Sequence, residues 1–490
     1  MESLEKYFNG FRQNIVGINT EFTTPYGKQK LIYADWIASG RLYAPIEDIM
    51  KNKFGSMVGN THSEASETGV IMTNLYHEAK HIIKKHVNAS SDDCLITEGS
   101  GMTGAVNKLQ RILGLRIPEK AEKYMKKIPE NERPVVFVTY MEHHSNHISW
   151  LETLADVVVL LPEGDEMNFA GELEKQLKKY ANRKTKIGSF TAGSNVTGII
   201  PDYYKLAEIM HKHGGYAFVD FAASAPYIKI DMHPENPEQH LDAIFFSPHK
   251  ALGGPGSSGV LIFNKKLYSN KAPDNPGGGT VLWTNRWNEY AYIEDTETRE
   301  DGGTPAFLQT MRAALTLKLK DKMGADNIMR REHELLDVIF EEFPKIEGLN
   351  ILAGKYKERI GAVSFYIDDI HHNLIVKLLN DKFGIQTRGG CSCAGTYGHY
   401  LFNVSKDESH RITDKIEHGD LSDKPGWVRL SVHPVMTDNE LYFIIDALKQ
   451  IRQNILEWEK DYVFDKSCGE FFHKDFPRKT PDKFADWFEL

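Results

Sequence analysis

Cysteine is scarce in this 490-residue sequence: there are four, Cys94, Cys391, Cys393 and Cys468. They are too few and too scattered for a disulfide framework, which points to a reducing compartment. Long apolar runs are missing as well. None reaches the length that spans a bilayer, and the opening Met1-Glu2-Ser3-Leu4-Glu5-Lys6 has no apolar core of a secretory leader. A cytoplasmic protein without a membrane segment is therefore expected. Nor is there a surplus of basic residues: 59 Lys and Arg stand against 68 Asp and Glu, for a formal charge of −9. That balance argues against nonspecific nucleic-acid binding, because a phosphate-neutralising surface needs excess cations. What remains is the ordinary make-up of a globular enzyme, 41% hydrophobic and 26% charged. The length implies roughly two to four domains and allows a sizeable core.

Near-continuous apolar segments alternate with helical patterns through the first two thirds of the chain. Leu95-Ile96-Thr97, Val135 to Tyr140, Val157 to Leu161, Thr185 to Phe190, Tyr216 to Asp220, Ala243 to Phe246 and Gly259 to Phe263 read as strands. Helical stretches are expected near 146–154, 171–182 and 202–213, and a long one from about Phe307 to Lys322. Alternation of this kind predicts a mostly parallel sheet covered by helices on both faces, with its ligand beyond the carboxyl ends of the strands.

Two residues at such strand ends carry chemistry. Ala243-Ile244-Phe245-Phe246 runs into Ser247-Pro248-His249-Lys250 and a glycine-rich stretch, Gly253, Gly254, Gly256 and Gly259, which sets Lys250 beside flexible backbone. A lysine so placed can lose its proton and form a Schiff base with an aldehyde cofactor. Asp220 closes another strand, where a carboxylate can hold the ring nitrogen of pyridoxal phosphate protonated and make the ring an electron sink. A third strand end, Glu98-Gly99-Ser100-Gly101-Met102-Thr103-Gly104, leads into a helix through a turn whose bare amides suit a phosphate.

Asp220-Phe221-Ala222-Ala223-Ser224 followed by Ser247-Pro248-His249-Lys250 resembles the cofactor segment of fold-type I pyridoxal-phosphate enzymes of aminotransferase class V, in the branch of cysteine desulfurases and selenocysteine lyases. The resemblance runs from about Leu31 to about Leu448. It implies an α/β large domain with a mostly parallel, seven-stranded-type sheet and a smaller α+β domain. On it, Lys250 carries the cofactor, Asp220 meets the ring nitrogen, Thr103 and the surrounding amides hold the phosphate, and Met102, Ser247 and His249 are further cofactor-binding residues. His143, in Met141-Glu142-His143-His144-Ser145-Asn146, resembles the imidazole that stacks on the ring and moves protons; Asn195 resembles the residue bonded to the ring oxygen. Thr304, in Gly302-Gly303-Thr304-Pro305, implies a homodimer with shared active sites, because its counterpart reaches the phosphate of the other subunit. Ala223 stands where desulfurases usually carry Gln, and Trp36 and Ile37 stand where smaller residues are usual.

The smaller domain carries the residues that choose the reaction. Thr387-Arg388-Gly389-Gly390-Cys391-Ser392-Cys393-Ala394 resembles the desulfurase loop in which an arginine precedes the nucleophilic cysteine by five positions, so Cys393 and not Cys391 is in register. Its thiolate would take sulfur from L-cysteine, leaving alanine and an enzyme persulfide. Cys391-Ser392 replaces the usual histidine pair, and a structural pair, a redox couple or a metal half-site with His399 are the other readings of this stretch. Arg388 and Arg429, the latter in Val428-Arg429-Leu430-Ser431, match arginines at the substrate carboxylate. C–S lyase, epimerase and aminotransferase chemistry are alternatives on the same site, and a non-catalytic binding protein is the alternative of a different class. No metal is expected: Cys391 and Cys393 lack the zinc-knuckle spacing, and the histidines at 77, 81 and 86 read as surface residues.

The expected divisions are an N-terminal arm over 1–30, a large domain over 31–320, a small domain over 321–455 and an extension over 456–490. Pro118 to Arg133 reads as a surface insertion and residues 405–426 as a polar loop. Partners implied are an amino-acid substrate and a sulfur-acceptor protein.

Overall fold

The computed structural model describes residues 3–62, 65–164 and 167–489. The chain forms two compact units: residues 1–16, 36–332 and 358–360 make the first, and residues 17–35, 333–357 and 361–490 the second.

The first unit is built on a seven-stranded sheet. In chain order its strands are β1 (Asp93–Glu98), β2 (Val135–Thr139), β3 (Asp156–Leu160), β4 (Lys186–Thr191), β5 (Tyr216–Asp220), β6 (Ala243–Phe246) and β7 (Gly259–Asn264). In space the order is β1-β7-β6-β5-β4-β2-β3. The strands from β6 to β3 pair in parallel, and β7 runs antiparallel to both β6 and β1. Successive side chains point to opposite faces of a strand, and each face has its own core. Leu95, Val219, Ile244 and Ile262 pack with Met72, Tyr76 and Ile83 of α1 (Glu67–His86), while Cys94, Ile96, Phe218, Phe245 and Phe263 pack with Val106 and Leu109 of α2 (Met102–Ile112) and Trp150 of α3 (His144–Leu151). Both faces being apolar explains why the strands read as continuous apolar runs rather than alternating ones. The remaining helices include α4 (Ala170–Lys179), α5 (Tyr203–Lys212) and α6 (Phe307–Met323).

The second unit centres on a four-stranded antiparallel sheet. Its strands are β8 (Leu349–Ile351), β9 (Ala362–Ile367), β10 (Arg388–Gly390) and β11 (Trp427–Ser431), in the order β8-β9-β11-β10. The helices α7 (His372–Phe383) and α10 (Asp438–Trp458) bury Ile375, Leu378, Leu379, Ile444 and Leu448 in one core with Val363, Phe365, Val428 and Leu430, and a short helix, α8 (Gly395–Leu401), lies between them in the chain.

Several expectations need correction. The arm over 1–30 divides: Leu4–Arg12 is a helix in the first unit, whereas the hairpin Glu21–Thr24/Gly27–Lys30 belongs to the second, where Ile32–Tyr33 pairs in parallel with Ile385–Gln386. The stretch 456–490 is not a separate appendage, because Tyr462–Asp465 and Glu470–His473 form a hairpin whose Tyr462 joins the second core and bonds Asp381 at 3.0 Å. Within the expected loop at 405–426 lies a helix, α9 (Lys406–Glu417), started by Ser405 Oγ, which accepts the Glu408 N–H at 3.2 Å. Only Ile412 of that helix is buried, so it has no apolar stripe to read. Of the histidines read as surface residues, His77 and His81 are exposed, but the His86 side chain is buried against Asp321 at 2.8 Å. The expected insertion at 118–133 holds two short 3₁₀ turns without a buried residue.

Candidate active site

In the first unit a cavity of about 440 Å³ opens beyond the carboxyl ends of the parallel strands. Five strand ends contribute to it: Gly99 to Gly104 after β1, His143 and Ser145 after β2, Thr191, Gly193 and Asn195 at the end of β4, Asp220, Ala222 and Ala223 at the end of β5, and Ser247, His249 and Lys250 after β6. The sheet thus gathers Lys250, Asp220, Met102, Thr103, His143, Asn195, Ser247 and His249 into one place.

Lys250 is half-buried at the end of a 3₁₀ turn, Pro248–Lys250, where its backbone N–H donates to the Ser247 carbonyl at 3.1 Å. The turn is held from outside by Trp36 to Arg41: Gly40 N–H donates to the His249 carbonyl at 2.9 Å, and the Gly253 N–H to the Arg41 carbonyl at 2.7 Å. A Cβ at Gly40 would lie 1.9 Å from the Ala251 oxygen, so only glycine allows the approach. Trp36 and Ile37, flagged as departures, are both buried.

Asp220 is almost wholly buried and accepts the Ala222 N–H at 2.7 Å. Burial pushes its carboxyl up to about 6, and that hydrogen bond and the Lys250 charge only partly offset the rise. A buried acid of this kind fits a cationic ring N–H, which would restore its charge. Around the first turn of α2, the Ser247 hydroxyl accepts the Met102 N–H at 2.8 Å, the Thr103 and Ser145 hydroxyls meet at 2.7 Å, and His249 Nδ1 donates to the Ser100 carbonyl at 2.8 Å. A Cβ on Gly101 would sit 3.0 Å from Ser247 Oγ and 3.2 Å from His249 Cε1. The glycine keeps open a cradle of hydroxyls at a helix N-terminus, which fits a phosphate. The Met102 side chain itself belongs to the core, so its part in the site is played by backbone. His143 caps α3, its Nδ1 accepting the Ser145 N–H at 3.1 Å, which leaves the proton of the neutral ring on Nε2. Ala223 lines the cavity where a longer amide was the usual expectation. Thr304 does not line it; within one chain it is exposed in the loop after Asp301.

Sequence reasoning missed Glu142, which lies behind the cavity. Its Oε1 accepts the Thr139 hydroxyl at 2.7 Å and the Thr191 N–H at 2.9 Å, and its Oε2 accepts the Asn146 amide at 2.8 Å. Burial drives this carboxyl up to about 8 against those hydrogen bonds, with the Asp220 charge adding to the rise. Its position between a strand end and His143 was the only signal.

In the second unit the two arginines converge on one carboxylate. Arg429, buried on β11, donates from Nη2 to Asp35 Oδ1 at 2.6 Å, and Arg388, across the β10–β11 register, donates from Nε to Oδ2 at 3.2 Å. The two guanidinium groups thus share the Asp35 carboxylate through charge-assisted hydrogen bonds. After β10 the chain turns through Ser392 and Cys393, both left-handed at φ 49° and 57°. Non-glycine residues take that conformation at a cost, and strained positions of this kind cluster at functional sites. Cys393 is exposed and Cys391 half-buried; all four cysteines are free thiols. His399 gives Nδ1 to the Gly395 carbonyl at 2.8 Å and meets Ser409 Oγ at 2.9 Å with Nε2, so both ring nitrogens are engaged away from a metal half-site.

The aminotransferase class-V family model matches residues 32–443. The chain belongs to that family. Among curated relatives, a probable cysteine desulfurase of Halalkalibacterium halodurans is 28% identical over 398 residues, covering 77% of this chain and 90% of the relative. One of the same description from Staphylococcus aureus is 27% identical over 427 residues, covering 87% and 93%. Among solved structures, the apo cysteine desulfurase of Thermococcus onnurineus superposes with a TM-score of 0.69 at 21% identity, over 86% of this chain and 95% of that one. The cysteine desulfurase CsdA of Escherichia coli gives 0.69 at 18% identity, over 93% and 99%. The class V fold is therefore that of the fold-type I pyridoxal-phosphate enzymes, as the strand alternation and the Lys250 segment implied.

Proposed function

We propose that this class V enzyme removes sulfur from L-cysteine, converting L-cysteine and the Cys393 thiol into L-alanine and a Cys393 persulfide. The observation that carries the reading is the meeting of Lys250, Asp220 and the Gly101–Thr103 cradle in one cavity. Pyridoxal phosphate, when bound, supplies a reactive carbonyl and a ring that stores electrons. The chain supplies the rest. Thr103, Ser247, His249 and the amides at Gly99 to Met102 would bind the cofactor's phosphate, Asp220 would hold a proton on its ring nitrogen, and His143 and Asn195 would orient its ring face and ring oxygen. Lys250 Nζ takes the proton from the substrate's α-carbon and delivers one to the product. Arg429 and Arg388 exchange Asp35 for the substrate carboxylate. Cys393 Sγ attacks the substrate sulfur; the bond between that sulfur and Cβ breaks, and Cβ is protonated as the methyl group of alanine. The exposure of Cys393 and its position on a tight turn suit a thiol that must next pass sulfur to an acceptor protein.

The working protein, on this reading, is a cytoplasmic homodimer in which Thr304 serves the cofactor phosphate of a second copy. No helix among the described residues is long and apolar enough to cross a membrane. The test is a product assay that reads alanine, sulfide, pyruvate and keto acid separately from purified protein and L-cysteine. Lys250→Ala is expected to lose alanine formation by roughly 10²- to 10⁴-fold, the range for a positioned acid–base group. Cys393→Ala should lose persulfide and alanine while keeping the colour of the bound cofactor, and Cys391→Ala should keep both products. Full alanine formation by Cys393→Ala overturns the assignment of the thiol, and pyruvate as the main product moves the protein to C–S lyase chemistry.

A further inference from the structure

The opposite end of the central sheet carries a second cluster of reactive side chains. β6 starts one residue after Asp242 and ends one residue before Ser247, so Asp242 stands at the edge remote from the cofactor cavity. Its carboxylate has no exposed surface. Oδ2 accepts the Ala217 N–H at 2.8 Å and faces His211 Nε2 at 2.9 Å; Oδ1 lies 3.4 Å from His240 Nε2 and is also touched by the Lys266 ammonium. The two imidazoles stack with centroids 4.0 Å apart and planes 5° from parallel. Among the described residues this is the one group of three His, Cys, Asp or Glu whose ligand atoms all lie within 4.8 Å of one another. His211 precedes Asp242 by 31 residues, a spacing with no metal signature, so the sequence did not single it out.

The hydrogen bonds fix the ring tautomers. His211 Nδ1 lies 2.6 Å from the Glu238 carbonyl oxygen and His240 Nδ1 lies 2.7 Å from that of Pro237. A carbonyl only accepts, so both Nδ1 atoms carry a proton, and a neutral ring then aims a bare Nε2 lone pair at a carboxylate. Acceptor facing acceptor requires a positive charge between them. The Lys266 ammonium supplies such a charge at Oδ1, beside His240 Nε2, and an ion seated between the rings and the carboxylate would supply it in the same way. A histidine anchored through Nδ1–H to a backbone carbonyl, with Nε2 turned toward a carboxylate, is the arrangement that orients imidazole for a metal. Bonds of about 2.0–2.1 Å to tetrahedral zinc place ligand atoms about 3.3 Å apart, and the 2.9 and 3.4 Å separations here bracket that spacing.

We propose that His211, His240 and Asp242 bind a divalent transition ion of the zinc class, with the Lys266 ammonium occupying the cation's place until the ion arrives. Two imidazoles and one carboxylate select such an ion over calcium or magnesium. Lys266 is half-exposed and only 3.4 Å from His240 Nε2, so its flexible side chain can withdraw into solvent and leave the fourth position to water. The ion would tie the last turn of α5 to the 237–242 segment and to the start of β6. Because the ligands come together only on folding, the ion stabilises the folded chain.

The test is titration of the metal-stripped full-length protein with Co²⁺, reading the visible bands of tetrahedral cobalt, followed by displacement with Zn²⁺. A Cys391→Ser/Cys393→Ser variant run in parallel removes the loop thiols, whose near-ultraviolet charge-transfer band would betray binding there. One equivalent of cobalt is expected in both proteins, displaced by one equivalent of zinc. His240→Gln should weaken it at least tenfold, Lys266→Met should tighten it, and Zn²⁺ should raise the melting temperature of the wild type but not of His240→Gln. The site is disproved if His240→Gln and Lys266→Met both bind cobalt as the wild type does, or if the Cys391→Ser/Cys393→Ser variant binds none.

Discussion

Glu142 and Asp220 are the residues whose burial says most about how the cofactor end of the sheet behaves. Both carboxyls titrate higher in the folded chain, about 8 and about 6, than the roughly 4 of an unfolded one. The folded chain therefore binds the extra protons, so the stability these groups lend is present at low pH and falls as pH rises, through 6 for Asp220 and through 8 for Glu142. The cofactor-free protein is expected to melt at a higher temperature near pH 5 than near pH 8. Glu142→Gln should be less stable than wild type at pH 5, because its amide would face the Asn146 amide, and the gap should narrow as pH rises. Thermal melts of both proteins across that range check it; a gap that widens with pH would contradict the assignment. At this scale Lys250, Asp220 and His143 were legible because apolar strands end in them. The Asp35 contact with two arginines was not, since nothing local marks a carboxylate paired from distant parts of the chain, and Glu142 had only its place between a strand end and His143 to mark it.

Among elements, the junction of β1, α2 and β7 decides whether the cradle stays open. A methyl group at Gly101 points at Ser247 Oγ and His249 Cε1, both side-chain atoms lining the cavity. Gly101→Ala should fold normally yet bind pyridoxal phosphate about tenfold more weakly, equivalent to about 1.4 kcal/mol, as absorbance titration would read. At Gly259 a Cβ would instead meet backbone, 2.3 Å from the Gly101 oxygen and 2.7 Å from that of Glu98. Gly259→Ala should cost about 1–3 kcal/mol of stability, seen as a lower melting temperature. The strands and α6 were legible from their apolar runs. α9 was not, because its start is announced by Ser405 alone while tertiary burial is confined to Ile412. α10 shows the contrast: Thr437 and Glu440 form a capping box ahead of a clear apolar stripe.

For the whole molecule, the stretch after residue 455 is part of a core rather than an attachment. Tyr462→Phe leaves one oxygen of the buried Asp381 short of a donor and should destabilise the protein by about 1–3 kcal/mol, measured by denaturant unfolding. The expected boundary near 30 fails for a physical reason. Linear reading divides a chain into consecutive blocks, whereas pairing of Ile32–Tyr33 with Ile385–Gln386 recruits distant segments into one unit. The chain accordingly passes from one unit to the other after residues 16, 35, 332, 357 and 360. A single protease nick can therefore release neither lobe whole: wherever it falls, at least one fragment holds pieces of both units. Producing either lobe in isolation calls for a gene whose segments are re-ordered, not merely shortened.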